Sequence, residues 1–400
     1  MSESRTMDRA DLGIRSQFPG LLTGDGEPWH YLDSGATAQK PRVVIDAMAR
    51  ALGEDYATVH RGIYSRSAKM TLGYEAARCR VAAFIGGGED ELVFTRGATE
   101  AINLVAYSYP KKGRVLLSQL EHHSNIVPWQ LAGWQVDVCP LTDDGRIDLE
   151  AAEQMLTREH EMVAFAHVSN VLGSVLDAKR AAELAHSVGA KLLLDGCQAA
   201  PRLPVDVEAI GCDFYAMSAH KMYGPTGIGA LWGRKELLES MPPWQGGGSM
   251  IDKVTFEQTT YAPPPQRFEA GTPAIAEALA FAIACEFIEY IGLDTIEAHE
   301  RSLVSQLREE LARIQGVRVF GPEDSLAIVS FELPGVHPHD LGTILDEENV
   351  AIRAGHHCCQ PLMDHLGVPG TARASFGVYS DESDIAALMR GIDRTLKIFA

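Results

Sequence analysis

The sequence predicts an α/β protein in which a large, mainly parallel sheet covered by helices is followed by a smaller α+β domain. Two observations support this fold class. From about residue 40 to 240, short apolar runs alternate with amphipathic stretches, a pattern typical of a parallel sheet buried on both faces. The chain also has 400 residues, more than one hydrophobic core usually serves, so we expect two structural units.

Each element of this fold has its own signal in the sequence. Six apolar runs predict the buried strands: Glu91–Thr95, Arg114–Ser118, Met162–His167, Lys191–Asp195, Phe214–Ser218 and Gly229–Trp232. The amphipathic stretch Ala178–Val188 predicts a covering helix, and the Gly- and Pro-rich segment Pro242–Pro265 predicts a long loop. The smaller unit is predicted from a helical segment, two strand-like runs and a final helix: about Ala274–Gln315, Leu326–Phe331, Val350–Arg353 and Ser383–Phe399.

Composition narrows the class of function. The chain has 54 acidic and 35 basic residues, a formal charge of −19, so its surface would repel nucleic acid and anionic membranes. Three glutamates interrupt the most apolar stretch, Ala274–Leu293, and the N-terminus lacks the apolar core of a signal peptide. Seven thinly spread cysteines do not form a disulfide framework. We expect a soluble, cytoplasmic protein that acts on a small molecule.

Polar residues at two strand ends are the first candidates for a site, because ligands of open α/β sheets bind beyond the carboxyl ends of the strands. Gly97-Ala98-Thr99 opens a helical pattern after a strand, which suits a phosphate but also fits an ordinary strand-to-helix turn. Asp195 closes an apolar strand, where a carboxylate needs a cation or a donor such as a protonated ring nitrogen. A helix N-cap is the alternative for Asp195.

Lys221 and His122 also follow predicted strands. Lys221 stands among hydroxyl residues and His220 and precedes a Gly-rich turn. Partial burial and nearby cations lower the pKa of an amine, as a Schiff-base nucleophile requires, although most lysines are ordinary surface residues. His122 is a candidate acid–base group, with a purely structural role as the alternative.

A second cluster lies in the smaller unit, at His356-His357-Cys358-Cys359. Four adjacent side chains diverge along the backbone and cannot surround one tetrahedral ion, so we predict no metal site. A cysteine among glycines and histidines is better interpreted as a reactive thiol. Arg353 and Arg373 are candidates for a bidentate grip on a carboxylate.

Together and in order, the motifs resemble the class V aminotransferase superfamily of pyridoxal-phosphate (PLP) enzymes, fold-type I. Within it they resemble the group II cysteine desulfurases that serve sulfur-mobilisation (SUF) iron–sulfur cluster assembly. The resemblance spans nearly the whole chain and is carried by YLDSGATAQKP (31–41), TVHRG (58–62), TRGATEAINLVA (95–106), EHHSNIVPW (121–129), HVSNVLG (167–173), DGCQAAPRLPVDV (195–207), DFYAMSAHKMYGPTGIGALWG (213–233), RFEAGTP (267–273) and RAGHHCCQPLM (353–363).

The resemblance implies a role for each residue around the cofactor. Lys221 would bind PLP covalently, Asp195 would keep the ring nitrogen protonated, and Gln198 would donate to the phenolic oxygen. His122 would stack on the ring and assist acid–base steps. The phosphate would be bound by Ala98, Thr99, Ser218 and His220 of one subunit and by Thr272 of the neighbouring subunit. The active unit would therefore be a homodimer.

The resemblance also implies the reaction. Asn170 and Arg373 would bind the substrate carboxylate, and Arg353 stays a candidate for the same role from its residue type. Cys358 would take the sulfur of L-cysteine as a persulfide, leave L-alanine, and pass the sulfur to an acceptor protein. The alternatives are selenocysteine lyase or cysteine sulfinate desulfinase activity on the same scaffold, a non-catalytic scaffold, or a PLP-independent metal-binding protein.

The resemblance implies that the chain has three parts. At three positions the sequence differs from the pattern common in the family. Residues 1–30 would pack with the small domain, residues 31–285 would bind PLP, and residues 286–400 would carry the catalytic cysteine loop. Tyr64 and Arg66 replace a histidine and an apolar residue that are common near the substrate entrance. Cys359 replaces a common alanine, either as a bystander, as a competitor for the persulfide or as a thiol that forms an inhibitory bond.

Overall fold

The computed structural model describes residues 12–399, and its secondary structure is as follows. The strands are β1 (His30–Tyr31), β2 (Leu92–Thr95), β3 (Arg114–Ser118), β4 (Gln135–Cys139), β5 (His160–Ala166), β6 (Lys191–Asp195), β7 (Phe214–Ser218), β8 (Gly229–Gly233), β9 (Ile251–Val254), β10 (Thr259–Tyr261), β11 (Arg318–Phe320), β12 (Ile328–Glu332), β13 (Val350–Ala351), β14 (Arg353–Gly355) and β15 (Thr371–Ser375). The α-helices are α1 (Arg42–Gly53), α2 (Ser65–Phe84), α3 (Ala98–Ser108), α4 (Val127–Leu131), α5 (Leu149–Met155), α6 (Ala178–Val188), α7 (Val207–Ile210), α8 (Lys235–Ser240), α9 (Ile275–Ile291), α10 (Leu293–Ala312), α11 (Pro338–Asp346), α12 (Gln360–Leu366) and α13 (Glu382–Phe399).

The large sheet has the strand order β2-β8-β7-β6-β5-β3-β4. Strands β4, β3, β5, β6 and β7 run parallel, while β8 is antiparallel to both of its neighbours. The predicted fold class is confirmed, and all six predicted strands are present. Strand β4 was not predicted, because it is an edge strand whose polar residues Gln135 and Asp137 interrupt the apolar run.

Strand β6 shows why the sequence of this sheet is apolar without alternation. Leu192 and Leu194 belong to the core that contains the apolar face of α6, whereas Leu193 belongs to the core that contains α3. Successive side chains of a strand point to opposite faces, so both faces here are covered by helices. The first polar side chain beyond this run is that of Asp195, at the open edge of the sheet.

The smaller unit is built on the antiparallel sheet β11-β12-β15-β14, which shares one hydrophobic core with α10, α11 and α13. The N-terminal segment joins it through the parallel pair β1–β13. Arg15 Nη1 lies 2.8 Å from Asp384 Oδ2, and His30 Nδ1 lies 2.7 Å from Asp384 Oδ1. Residues 1–11 of the predicted segment 1–30 lie outside the described residues. The predicted boundary at residue 285 falls inside α9, and the domain limits stay predictions.

Two segments differ from their predicted form. The predicted loop Pro242–Pro265 contains the hairpin β9–β10, which was missed because its residues are largely exposed and lack an apolar face. The predicted helical segment Ala274–Gln315 is two helices, since Gly292 at φ 90° adopts a conformation that ends α9. Within residues 12–399, no helix combines the length and the apolar character needed to cross a membrane.

Candidate active site

A cavity of about 190 Å³ lies at the carboxyl edge of the large sheet and is bordered by the small domain. The structure brings together eleven of the thirteen predicted site residues in its lining: Ala98, Thr99, His122, Asn170, Asp195, Gln198, Ser218, His220, Lys221, Arg353 and Arg373. They come from the ends of five different strands and from two strands of the small domain. Cys358 and Thr272 do not line the cavity.

The turn that carries Lys221 is held by hydrogen bonds from the motif at residues 31–41. The carbonyl of His220 accepts hydrogen bonds from the Ala38 backbone N–H at 2.9 Å and from Lys40 Nζ at 3.0 Å. Burial lowers the pKa of Lys40 to about 8. Burial, together with the charge of Lys221, lowers the pKa of His220 to about 4, so the His220 ring is neutral at physiological pH. The Lys221 amine is therefore presented on a rigid turn, beside an uncharged imidazole.

Within residues 12–399, only one oxygen of the Asp195 carboxylate accepts a hydrogen bond from the protein. Its Oδ1 accepts a hydrogen bond from the Cys197 backbone N–H at 3.0 Å. Turns and not a helix follow Asp195, so the N-cap alternative is wrong and this contact is a local side-chain turn. No residue in the described part of the chain donates to Oδ2. Because Asp195 is buried and lines the cavity, this second oxygen is available to a donor on a ligand.

His122 is held as a neutral ring of defined tautomer. Its Nδ1 accepts a hydrogen bond from the Ser124 backbone N–H at 3.1 Å, so the proton is assigned to Nε2. Burial, with a further contribution from Lys221, lowers the pKa of His122 to about 4. The ring can therefore donate through Nε2 without carrying a positive charge near neutral pH.

Arg373 provides a buried cation with a free donor. Its Nη1 donates to the Asn170 carbonyl and its Nη2 to Asp33 Oδ1, both at 2.8 Å. Its Nε is buried and has no hydrogen-bond partner within residues 12–399. Burial lowers the pKa of Arg373 and the nearby Asp33 opposes that change. A buried guanidinium with an unused N–H is suited to an incoming carboxylate.

The ends of α3 and β7 contact each other at the cavity wall. The Ala98 backbone N–H donates to Ser218 Oγ at 2.9 Å, and the Thr99 and Ser124 hydroxyls lie 2.7 Å apart. Gly97, at φ 153°, turns the chain from β2 into α3, so that the helix begins at the cavity. A helix N-terminus surrounded by hydroxyl groups is suited to an anion such as phosphate.

The cysteine loop follows β14 and is pinned to the large domain. The His123 backbone N–H donates to the Cys358 carbonyl at 2.7 Å, and the Gln360 N–H donates to His123 Nε2 at 3.0 Å. His357 and Cys358 both adopt left-handed backbone conformations, at φ 52° and 57°, which are strained for residues with a side chain. Arg353 Nη2 lies 4.0 Å from Cys358 Sγ, so a cation stands beside this partly exposed thiol.

Cys359 faces the opposite way from its neighbour. Its Sγ is fully buried and donates to Asn170 Oδ1 at 3.1 Å, while Asn170 Nδ2 donates to the His357 carbonyl at 2.9 Å. Burial raises the pKa of Cys359 to about 12. This favours the bystander interpretation, in which Cys359 fixes Asn170 and the loop and takes no sulfur.

We expect brief alkylation of the folded protein at pH 8 to modify Cys358 while Cys359 stays unmodified, because only the thiolate of an accessible cysteine reacts. Peptide mass spectrometry with fragmentation distinguishes the two. The exposed Cys79 serves as an internal positive control for the reagent. Labelling of Cys359 as fast as Cys358 would contradict this arrangement.

Thr272 lies outside the cavity of its own chain. It is exposed on the loop after Glu269, whose carboxylate forms a buried ion pair with Arg78 and accepts a hydrogen bond from the Phe94 N–H at 2.7 Å. This position leaves Thr272 free to act in a neighbouring subunit, which stays a prediction. Tyr64 and Arg66 are exposed at the start of α2 and do not line the cavity.

Seven lining residues were not identified from the sequence: Gly35, Ala36, Ser124, Ala166, Val168, Cys197 and His357. Gly35 and Ala36 lie in a motif that had been singled out without a role. Gly35 is closely packed there, since a Cβ would lie 3.1 Å from Ser375 Oγ. Ser124 and His357 lie within two positions of predicted site residues in the sequence, and this proximity could have identified them.

Comparison with known proteins decides the family. The profile of the family described as aminotransferase class-V matches residues 30–388. The chain belongs to this family. The predicted resemblance to class V aminotransferases is thereby confirmed over most of the chain, while the narrower group II assignment stays a prediction.

Relatives within the class V aminotransferase family are named as cysteine desulfurases. The chain is 45% identical to a probable cysteine desulfurase of Halalkalibacterium halodurans, covering 96% of this chain and 98% of the relative. It is 44% identical to the cysteine desulfurase of Dickeya dadantii, covering 95% of each chain.

Among solved structures, the cysteine desulfurase CsdA of Escherichia coli in its S-sulfonic acid form matches with TM-score 0.90 and 39% identity, over 96% of this chain and 98% of that one. The apo cysteine desulfurase of Thermococcus onnurineus matches with TM-score 0.91 and 35% identity, over 99% and 100%.

Proposed function

We propose that this protein is a PLP-dependent cysteine desulfurase that converts L-cysteine and the Cys358 thiol into L-alanine and a Cys358 persulfide. The names of its relatives support this activity. One observation carries the proposal: an amine (Lys221), a half-engaged carboxylate (Asp195) and a guanidinium with a free donor (Arg373) line one cavity, and the loop of the accessible Cys358 closes beside it.

The lining residues fit PLP. The start of α3 with Thr99 and Ser218 suits its phosphate, the open Oδ2 of Asp195 suits its ring nitrogen, and Lys221 suits its aldehyde. When bound, PLP supplies an electron sink for bond breaking at the substrate's α-carbon. Within the described residues, no group of three or more His, Cys, Asp or Glu side chains could hold a metal ion.

The chain's own residues supply binding and proton transfer. Arg373 Nε is free to bind the substrate carboxylate, and Asn170, in contact with both Arg373 and the cysteine loop, fixes the two relative to each other. The Lys221 amine can carry the proton of the substrate α-carbon. Neutral His122 can donate a hydrogen bond through its Nε2–H without adding a second cation next to Lys221.

Cys358 is the sulfur acceptor in this proposal. Its thiolate sulfur, which lies 4.0 Å from Arg353 Nη2, forms a bond with the substrate sulfur as the carbon–sulfur bond breaks. The electron pair of the broken bond stays on carbon, which gains a proton to become alanine. The persulfide then passes to an acceptor protein for iron–sulfur cluster assembly. We further propose that the active form is a cytoplasmic homodimer in which each Thr272 serves the partner's site.

The expected result of incubating the PLP-loaded protein with L-cysteine and excess thiol reductant is alanine and sulfide in equal amounts, because each turnover releases one of each. Amino-acid analysis and a colorimetric sulfide assay measure the two products. Protein treated with PLP but given L-serine is the control, since serine has no sulfur to transfer. Absence of alanine above that control would overturn the proposed activity.

A further inference from the structure

A buried ion pair lies behind the cavity, outside its lining. Arg202, which follows β6, is buried, and Glu300 in the middle of α10 is fully buried. Arg202 Nε lies 3.0 Å from Glu300 Oε2. Neither Glu300 oxygen accepts a well-aligned hydrogen bond within residues 12–399, so the contact with Arg202 is an ion pair. Burial raises the pKa of Glu300 to about 7, and the Arg202 charge opposes that rise. Burying such a pair costs free energy, which is offset only where geometry and further hydrogen bonds are good.

One nitrogen of the Arg202 guanidinium, Nη1, donates to Gln198, while Nη2 points to the Phe376 carbonyl at 3.5 Å. Arg202 Nη1 donates to both the side-chain Oε1 and the backbone carbonyl of Gln198, each at 2.9 Å. Gln198 Nε2 in turn donates to the Gly35 carbonyl at 2.7 Å. A guanidinium has no acceptor, so it can face only the oxygen of the amide and not its NH₂ group. The orientation of the Gln198 amide is therefore determined by Arg202 on one side and Gly35 on the other.

The second N–H of Gln198 Nε2 has no partner within the described chain, and Gln198 lines the cavity. The positive charge of Arg202 next to Oε1 also polarises the amide, which makes its N–H groups stronger donors. One N–H of the Gln198 amide, strengthened as a donor by Arg202, therefore remains available on the cavity side.

We propose that Arg202 and Glu300 are positioning residues that hold and polarise the Gln198 amide so that its free N–H donates to the phenolic oxygen of PLP. This inference rests on the proposed binding of PLP at Lys221. A donor to that oxygen spreads its negative charge, which lowers the pKa of the Lys221 nitrogen bonded to the cofactor. Glu300, in α10, holds Arg202 in position. A residue distant in the sequence therefore influences the pKa of the Lys221 nitrogen bonded to the cofactor.

The test is a pH titration of the visible absorption of PLP bound to the full-length protein. The variants are Gln198→Ala, the paired change Arg202→Met with Glu300→Gln, and all three changes together. The paired change is used because removing Arg202 alone would leave Glu300 buried without a counter-charge. We expect the paired variant to raise the apparent pKa of the absorption change by about one unit, in the same direction as Gln198→Ala. In the Gln198→Ala background, the paired change is expected to add nothing.

Asp213→Asn is the matched control for a buried charge that does not reach the cofactor. Asp213 precedes β7 at the opposite edge of the sheet and contacts His186 at 2.7 Å and Lys191 at 3.4 Å. We expect it to lower the melting temperature and leave the absorption titration unchanged. Arg202→Lys, which keeps the charge but loses the planar fork, is expected to shift the titration in the same direction as the paired variant and serves if that variant does not fold.

Two results would overturn the inference: a paired variant that titrates like wild type, or a shift that persists undiminished without Gln198. The second would mean that the charge of Arg202 acts directly rather than through the amide. Failure of the proposed function is distinguishable, because wild type itself would then show no visible PLP absorption dependent on Lys221.

Discussion

Lys221→Ala is expected to abolish the visible absorption of covalently bound PLP and to lower alanine formation by at least ~1000-fold, since it removes both the attachment and the proton carrier. Lys40, the lysine of the motif at residues 31–41, cannot replace it. Its Nζ donates to the Ala38 and His220 carbonyls beneath the turn, and it does not line the cavity. Absorption spectra and mass spectrometry after borohydride reduction, which fixes PLP to its lysine, measure the effect.

The control for Lys221→Ala is Lys191→Ala, which removes the lysine at the opposite end of β6 from Asp195. This variant loses the contact with Asp213 at 3.4 Å and is expected to keep the absorption of bound PLP. A Lys221→Ala protein that still carries PLP on another lysine, or that forms alanine at the wild-type rate, would contradict the assignment of Lys221.

Cys358→Ala is expected to lower L-cysteine-dependent alanine formation by at least ~100-fold while the PLP absorption stays as in wild type. The reason is geometric: of the two adjacent thiols, only Cys358 is accessible and stands beside Arg353. Steady-state alanine production and the absorption spectrum of the same sample separate loss of the nucleophile from loss of the cofactor.

The control for this change is Cys359→Ala, which removes the buried neighbour and its hydrogen bond to Asn170. We expect it to retain alanine formation within about threefold of wild type and to lower stability by about 1 kcal/mol, as for a weak buried hydrogen bond. If Cys358→Ala kept the full rate and Cys359→Ala lost it, the two roles would be reversed.

The elements that could be predicted are those in which the residues of one short segment are enough to indicate its secondary structure and its burial. The run KLLLD is apolar on both faces and ends in a carboxylate, so β6, its burial and the position of Asp195 at the carboxyl edge of the sheet could be predicted directly. The same holds for the strands that precede His122 and Lys221. Edge strand β4 and hairpin β9–β10 escaped because partly exposed strands carry polar residues that mask the pattern.

The part that could not be predicted depends on contacts between distant segments. Nothing in the local sequence relates Arg202 to Glu300, 98 positions later, or Asp33 to Arg373; the fold alone brings each pair together. The opposite orientations of Cys358 and Cys359 likewise depend on the pinning of the loop by His123 and on the amide of Asn170. The sequence predicted which residue types gather at the site, and tertiary structure determines which atoms remain free.

The most direct test of sulfur transfer is mass spectrometry of the protein after brief exposure to L-cysteine without reductant, with fragmentation of the peptide that contains both cysteines. The expected result is an increase of about 32 Da, one sulfur atom, on Cys358. The increase should persist in Cys359→Ala and vanish in Cys358→Ala and in Lys221→Ala. An adduct on Cys359 alone, or alanine formed with no sulfur on Cys358 in any sample, would contradict it.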